Sequence, residues 1–249
     1  MLAEERFSRI LSIIEAEGSA TIQELMTALD ASESTVRRDL ITMDENGLLT
    51  KVHGGAKARR PSVSTHDEDV RNRKTMNAEQ KNAIAKYAAS LIRPDDFVYL
   101  DAGTSTEAMI PFIKETQAVF VTNAISHAKL LAEKGCRVYL LGGEFKSQTE
   151  AIVGEEAMEM LSKYNFTKGF WGTNGISVSK GYSTPEIKEA MVKKYSMKNC
   201  KRCYILADAS KFDQLSSVKF ADFEQATILT TELYKPALKK YKNIVEVKE

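Results

Sequence analysis

The chain has 249 residues, 43% hydrophobic and 28% charged, with 35 Lys and Arg against 34 Asp and Glu for a net charge of +1. This length suits two domains better than one, and the composition is that of an ordinary globular protein rather than a disordered or fibrous one. No apolar run reaches the roughly 20 residues of a membrane helix, and Met1-Leu2-Ala3-Glu4-Glu5-Arg6 lacks the layout of a secretory leader; a cytoplasmic protein without membrane contact is expected.

Residues 4–17 place Phe7, Ile10, Leu11 and Ile14 at helical spacing ahead of Gly18. Thr21-x-x-Glu24 reads as a capping box opening a second helix that buries Leu25 and Leu29 and ends near Asp30. After a very short turn, Ser32 is suited to cap a third helix with Val36, Leu40 and Met43 on one face. Ser34 and Arg38 lie on the opposite face, flanked by Thr35 and Arg37. Gly47 stops that helix, Leu48-Leu49 open a strand, and Lys51 to Ala56, including His53 and Gly54, form a tight turn with basic flanks.

Helix, helix, tight turn, helix and small hairpin make the layout of a winged helix-turn-helix. An anchored inner face frees the outer face of the third helix for the major groove, where arginine donates two hydrogen bonds to guanine or neutralises phosphate. Charge supports this locally: residues 31–60 carry six Lys/Arg against four acids, and Thr50 to Arg60 hold four basic residues and no acid. Taken alone, Arg37-Arg38 fits a solvated helix face. The candidate DNA contacts are Ser32, Ser34, Thr35, Arg37, Arg38, Lys51, His53 and Gly54.

Arg59 to Thr65 break all periodicity, so we expect a domain at 1–57, a linker at 58–76 and a second domain at 77–249. The charged stretch from Asp67 to Lys74 has some helical character. A helix from Ala78 to Ile92 turns Ile84, Ala88, Leu91 and Ile92 inward. Strands are expected at Phe97–Leu100, Val119–Val121, Arg137–Leu141, Lys168–Trp171, Tyr204–Ala207, Thr227–Thr230 and Ile244–Val247, with helices between several of them. This alternation argues for a mostly parallel sheet covered on both faces.

Polar residues and glycine recur just after these strands, at the edge where open α/β sheets bind ligands. Gly103-Thr104-Ser105-Thr106 suits an anion, through close backbone approach, hydroxyls and the amides of a following helix. It is not a Walker sequence. Thr122-Asn123 and Gly172-Thr173-Asn174-Gly175 supply amides for sugar hydroxyls, Lys211 a cation for phosphate and Asp208 an acceptor. Any one such strand end is equally a turn; Asp101 is equally a helix cap and Glu189 an exposed partner of Lys193. Convergence of several favours a ligand site. Cys136, Cys200 and Cys203 define no disulfide framework, Cys200-x-x-Cys203 is read as structural, and His53, His66 and His127 are too scattered for a metal site. No cofactor is expected.

Ser34-Thr35-Val36-Arg37-Arg38-Asp39-Leu40 followed by Leu48-Leu49-Thr50-Lys51-Val52-His53-Gly54-Gly55-Ala56 resembles the signature of the DeoR family of sugar-metabolism repressors. The second domain resembles that family's sensor at Asp101–Thr106, Val121–Ala124, Leu141-Gly142-Gly143, Gly172–Gly175 and Leu206–Lys211. The resemblance implies a winged helix-turn-helix followed by an α/β sensor domain similar to ribose-5-phosphate isomerase. It places a phosphate on Gly103, Thr104, Ser105 and Thr106, and a sugar among Asp101, Thr122, Asn123, Gly142, Asn174, Glu189 and Lys211. From Gly172 to Glu189 the chain is similar to fructose-regulon repressors. The implied partners are double-stranded operator DNA, a phosphorylated sugar that relieves repression, and further copies of the chain in a dimer or tetramer. The rival readings are a phosphosugar isomerase with an accessory DNA-binding domain, using Glu189 with Lys211 or Lys180, and a protein-binding adaptor. The DNA module argues against an enzyme.

Overall fold

The computed structural model describes residues 2–58, 63–65, 70–231, 233 and 236–247. Arg59–Ser62 of the expected linker, and His66 and Asp67 in the charged stretch after it, lie outside the described residues. Two compact units are present, Met1–Pro61 with Glu232–Lys242 and Ser62–Thr231 with Asn243–Glu249.

The first unit opens with α1 (Ala3–Glu17), closed by Gly18 at φ 80°. A short strand β1 (Ser19–Thr21) leads into α2 (Ile22–Leu29). The capping box forms as expected, with the Glu24 amide donating to Thr21 Oγ1 at 3.2 Å and the Thr21 amide donating to Glu24 Oε2 at 2.7 Å. Asp30 ends α2 at φ 49°, a left-handed conformation that turns the chain sharply into α3 (Glu33–Glu45). Ser32 caps α3. Val36, Leu40 and Met43 are fully buried against Ile10, Leu25 and Leu29. Each such side chain contributes about 1.5–3 kcal/mol, so this inner face fixes α3 while its outer face makes no demand on the fold.

Strands β2 (Thr50–Val52) and β3 (Gly55–Lys57) form the wing hairpin around His53 and Gly54, and β1 pairs on the far side of β3. Leu48 and Leu49, expected to begin a strand, instead lead into it: Leu49 is buried in the helical core, and pairing starts at Thr50. Gly55 is required by closeness, because a Cβ there would stand 2.2 Å from the Ala20 carbonyl oxygen.

The second unit begins with β4 (Val63–Ser64), α4 (Val70–Thr75) and α5 (Ala78–Ser90). The stretch expected as a linker thus contains two ordered elements. There follow β5 (Phe97–Leu100), α6 (Thr104–Glu107), β6 (Val119–Thr122), α7 (Ile125–Glu133) and β7 (Arg137–Leu140). A hairpin of β8 (Glu144–Lys146) and β9 (Ala151–Val153) precedes α8 (Glu155–Ser162) and β10 (Lys168–Gly172). The chain continues through β11 (Gly175–Ser177), β12 (Gly181–Thr184), α9 (Ile187–Lys198) and β13 (Cys203–Leu206). It ends with β14 (Leu215–Ser216), β15 (Val218–Ala221), β16 (Thr227–Thr230) and β17 (Ile244–Glu246).

Seven of these strands form one parallel sheet in the order β17-β16-β13-β10-β5-β6-β7. From β5 the chain builds outward through β6 to β7, then returns to place β10 on the other side of β5 and grows the opposite way. Adjacent β5 and β10 therefore form a topological switch point, whose carboxyl ends open a crevice. Val98, Leu100, Phe120 and Phe170 face α5 and its Ile84, Ala85 and Ala88. On the other face Tyr99 lies against Trp171, with ring centroids 5.5 Å apart, and Trp171 Nε1 donates to Ser196 Oγ of α9 at 2.9 Å. Strands β11, β12 and β15 form a smaller antiparallel sheet, and β14 pairs with β4.

Candidate functional site

The first candidate surface is the outer face of α3 with the wing. Ser34, Arg37 and Arg38 are exposed and Thr35 is half-buried. The four expected α3 contacts and Ser32 are close together, but most already have partners. Ser32 Oγ lies 3.0 Å from Ser34 Oγ and 2.9 Å from Thr35 Oγ1. Arg37 is paired with Glu33 across one helical turn, Nη2 to Oε1 at 2.6 Å with both side chains about half exposed. Such a pair is worth a few tenths of a kcal/mol and yields readily to phosphate. Asp39, in the middle of the motif, turns inward. It accepts from Arg6 Nε at 2.6 Å and Arg6 Nη2 at 2.9 Å, tying α3 to α1. Two of the four acids in the basic segment are thereby neutralised within the unit. Lys51, His53 and Gly54 are exposed on the wing, where the Lys51 amide donates to Asp44 Oδ1 at 3.1 Å.

The second site is a cleft of about 680 Å³, its open mouth included, over the carboxyl ends of β5, β10 and β13. Gly103, Thr104 and Ser105 line it from the end of β5, Asn174 from the end of β10 and Lys211 from the end of β13, with Glu189 reaching in from α9. These six of the expected effector residues are brought together. Thr149 from the β8–β9 loop, Lys193 of α9, and Arg73 and Lys81 of α4 and α5 complete the wall. Four cations (Arg73, Lys81, Lys193, Lys211) face two carboxylates (Glu189, Asp208), so the lining holds an excess of two positive charges.

Of the other expected effector residues, Asp101, Thr106, Thr122 and Asn123 are buried and Gly142 is exposed, and none of the five lines the cleft. Thr106 is buried, and its hydroxyl donates to the carbonyls of Asp101 at 2.6 Å and Gly103 at 2.8 Å. Asn123 accepts from the Ala102 amide at 2.8 Å and from Tyr99 Oη at 3.1 Å, and donates to the Ile152 carbonyl at 3.2 Å. It thus fixes the strand end from which the Gly103 turn departs. Thr122 accepts from the Ala124 amide at 3.1 Å, and Gly142 is exposed with its amide on Met160 Sδ at 3.1 Å. Asp101 is buried and paired with Lys193 Nζ, which also donates to the Gly172 carbonyl at 3.2 Å.

Glu189 and Lys193 do not form an exposed helical pair. Both are buried, because α9 turns this stripe towards the sheet ends. Glu189 accepts from Lys146 Nζ at 2.9 Å and from Thr149 Oγ1. Burial pushes its carboxyl up, but the Lys193 charge and the hydrogen bonds from Thr149 and Lys146 outweigh that and leave it below its ordinary value. Burial takes the Asp101 carboxyl up to about 6, against the opposing pull of Lys193. Lys81, not among the expected residues, is buried and donates to the Arg73 carbonyl; its place three residues before inward-facing Ile84 puts it on the same helical face. Arg73 Nε is buried without a hydrogen-bond partner among the described residues. Nothing in the charged stretch from Asp67 to Lys74 set Arg73 apart from its neighbours. Among the described residues no group of three or more His, Cys, Asp or Glu is placed to hold a metal ion.

A winged helix-turn-helix on the same chain as an α/β domain with a cationic switch-point cleft defines a DNA-binding regulator with a ligand-sensing domain. The chain belongs to the DeoR family: the DeoR-like helix-turn-helix domain matches residues 6–61 and the DeoR C terminal sensor domain residues 76–233. It is 41% identical over 249 residues to a Bacillus subtilis (strain 168) protein named "Uncharacterized HTH-type transcriptional regulator FruR", covering 100% of this chain and 98% of that one. It is 33% identical over 232 residues to the lactose phosphotransferase system repressor of Staphylococcus aureus (strain NCTC 8325 / PS 47), covering 92% and 91%. Among solved structures it is similar to ribose 5-phosphate isomerase A from Methanocaldococcus jannaschii, with a TM-score of 0.42, 15% identity and 55% of each chain covered. A probable sor operon regulator from Shigella flexneri gives 0.41 and 12%, covering 76% of this chain and 93% of that one. No described helix is long and apolar enough to cross a membrane.

Proposed function

We propose that this chain is a cytoplasmic repressor of a sugar-utilisation operon, released from its operator when a phosphorylated sugar occupies the cleft. The observation that carries the reading is the cleft's excess of two positive charges beside the Gly103-Thr104-Ser105 turn at the β5–β10 switch point. In this reading the turn holds the phosphate with Arg73, Lys81 and Lys211, while Asn174, Glu189 and Asp208 bind sugar hydroxyls. Asp101, Thr106, Thr122 and Asn123 hold the cleft's walls from behind. Arg38, Arg37, Lys51 and His53 contact the operator, with the DNA-binding domain at 1–57, the connecting segment at 58–76 and the sensor at 77–249.

The names of its relatives support control of a sugar system, and one of them is a phosphotransferase-system repressor. Relief requires that the sugar phosphate bind one arrangement of a dimer or tetramer more tightly than the other. An isomerase is disfavoured because its base would be Glu189, which three partners hold in its weakly basic form.

The test is fluorescence anisotropy of labelled DNA from upstream of the protein's own operon, followed by a panel of sugar phosphates beginning with fructose 1-phosphate. Specific binding reversed by one of them is the expected result. Tighter operator binding with the cognate sugar phosphate would overturn relief, and turnover of any panel member would revive the isomerase.

A further inference from the structure

Cys200 lies in the turn that joins α9 to β13 and Cys203 opens β13, at the amino end of a strand whose carboxyl end leads to the effector cleft. Their sulfurs contact backbone carbonyls of the one short stretch from Met197 to Arg202. Cys200 Sγ donates to the Arg202 carbonyl at 3.3 Å, and Cys203 Sγ lies 3.8 Å from the Cys200 carbonyl oxygen and 3.7 Å from that of Met197. The backbone of the turn is held on both sides: Lys201 donates to the Phe166 carbonyl at 2.9 Å and Gly169 to the Arg202 carbonyl at 3.0 Å. Both cysteines are half-exposed, whereas Cys136 is buried at 7% exposure. They line a cleft that also receives Lys194, Lys198, Lys201 and Lys219, the last paired with Asp222 of the same lining. The pair is too small for a metal, since no His, Asp or Glu joins it as a third ligand among the described residues.

We infer that Cys200 and Cys203 form a reversible dithiol–disulfide site, oxidised by a hydroperoxide that enters through the lysine-lined cleft. Proximity supplies the resolving thiol. Cys203 is the attacking sulfur, because its side-chain interaction with Cys200 draws its pKa down while Cys200 is pushed up. Its thiolate attacks one peroxide oxygen: an S–O bond forms, the O–O bond breaks, and the departing hydroxide takes a proton to become water. The Cys200 thiol then attacks the sulfenic sulfur; the S–S bond forms, the S–O bond breaks, and the Cys200 proton leaves with hydroxide as a second water. Two thiols lose two electrons and one peroxide is reduced.

The test uses the full chain, reduced, exposed to hydrogen peroxide, and then alkylated for peptide mass spectrometry. The expected product is a Cys200–Cys203 disulfide reversed by dithiothreitol, with Cys136 still alkylated. Cys200→Ser should leave peroxide consumption intact but stop at a sulfenic acid that dimedone traps; Cys203→Ser should slow consumption by about tenfold or more. Mapping the unmodified chain needs no variant, so a variant that fails to fold does not blunt the test. Absence of the internal disulfide, or oxidation of Cys136 at the same rate, would overturn the proposal.

Discussion

Asp101 and Lys193, 92 positions apart in the chain, meet as an ion pair where Lys193 lines the effector cleft, with side chains 2% and 7% exposed. One is at the carboxyl end of β5 and the other on α9, so the pair closes α9 over the switch point. A buried ion pair need not add net stability, but losing one member leaves the other charge without a partner. Asp101→Asn should therefore destabilise the second unit by about 3–5 kcal/mol in urea unfolding. Adding Lys193→Met should recover most of that loss. Simple additivity of the two single changes would show that the pair is not coupled.

Gly103 stands at the centre of the proposed phosphate turn, yet the protein itself does not demand glycine there. Its φ of 162° is extended backbone, and an added Cβ meets only Thr106 Oγ1, at 3.5 Å. Gly103→Ala should then melt within about 2 °C of the unmodified protein. Sugar-phosphate affinity should fall about tenfold or more, equivalent to about 1.4 kcal/mol, because the new methyl occupies the approach of the ligand. Calorimetric titration reads both arms; unchanged affinity would move the phosphate away from this turn.

Arg37 and Arg38 are adjacent but not equivalent. Arg37 is engaged by Glu33 at 2.6 Å, whereas Arg38 is exposed. Arg38→Ala should weaken operator binding by about 1–3 kcal/mol if it reads a base, and leave sugar-phosphate binding unchanged. Glu33→Ala should release Arg37 and strengthen binding to any DNA, most clearly at low salt. Anisotropy titrations on operator and random DNA separate the two effects.

His127 is almost fully buried beside the cleft loop, 3.8 Å from Glu107 Oε2. Burial, opposed by Glu107, lowers its pKa from 6.5 to about 4. The unfolded chain binds the imidazole proton more tightly than the folded one between these values. The stability contributed by the neutral ring is therefore complete above pH 6.5 and is lost as pH falls towards 4. The loss is on the order of 3 kcal/mol. In urea unfolding at several pH values, His127→Gln should flatten this part of the profile; an unchanged slope would assign the acid sensitivity to other groups.

Local signals wrote the first unit plainly. The Thr21–Glu24 capping box, the Ser32 cap, and Val36, Leu40 and Met43 on one helical face are all short-range patterns, and each recurs in the structure. The strands of the large sheet were legible for the same reason, as apolar runs ending in turn residues, and so were Gly103, Thr104, Ser105, Asn174 and Lys211 of the cleft.

What the sequence did not disclose are relationships between distant residues. Asp39 looked like one acid of the DNA-binding segment until Arg6, 33 positions away, closed on it. Thr106 and Asn123 looked like ligand groups, but their hydrogen bonds are spent on strand ends brought near by the fold. Lys193 looked like a solvated partner of Glu189, and Arg73 was one charge of the run from Asp67 to Lys74, yet both line the cleft. Periodicity within a segment determines which face of a helix or strand is apolar. Only the packing of segments against each other decides which polar groups are consumed as internal partners and which remain to meet a ligand.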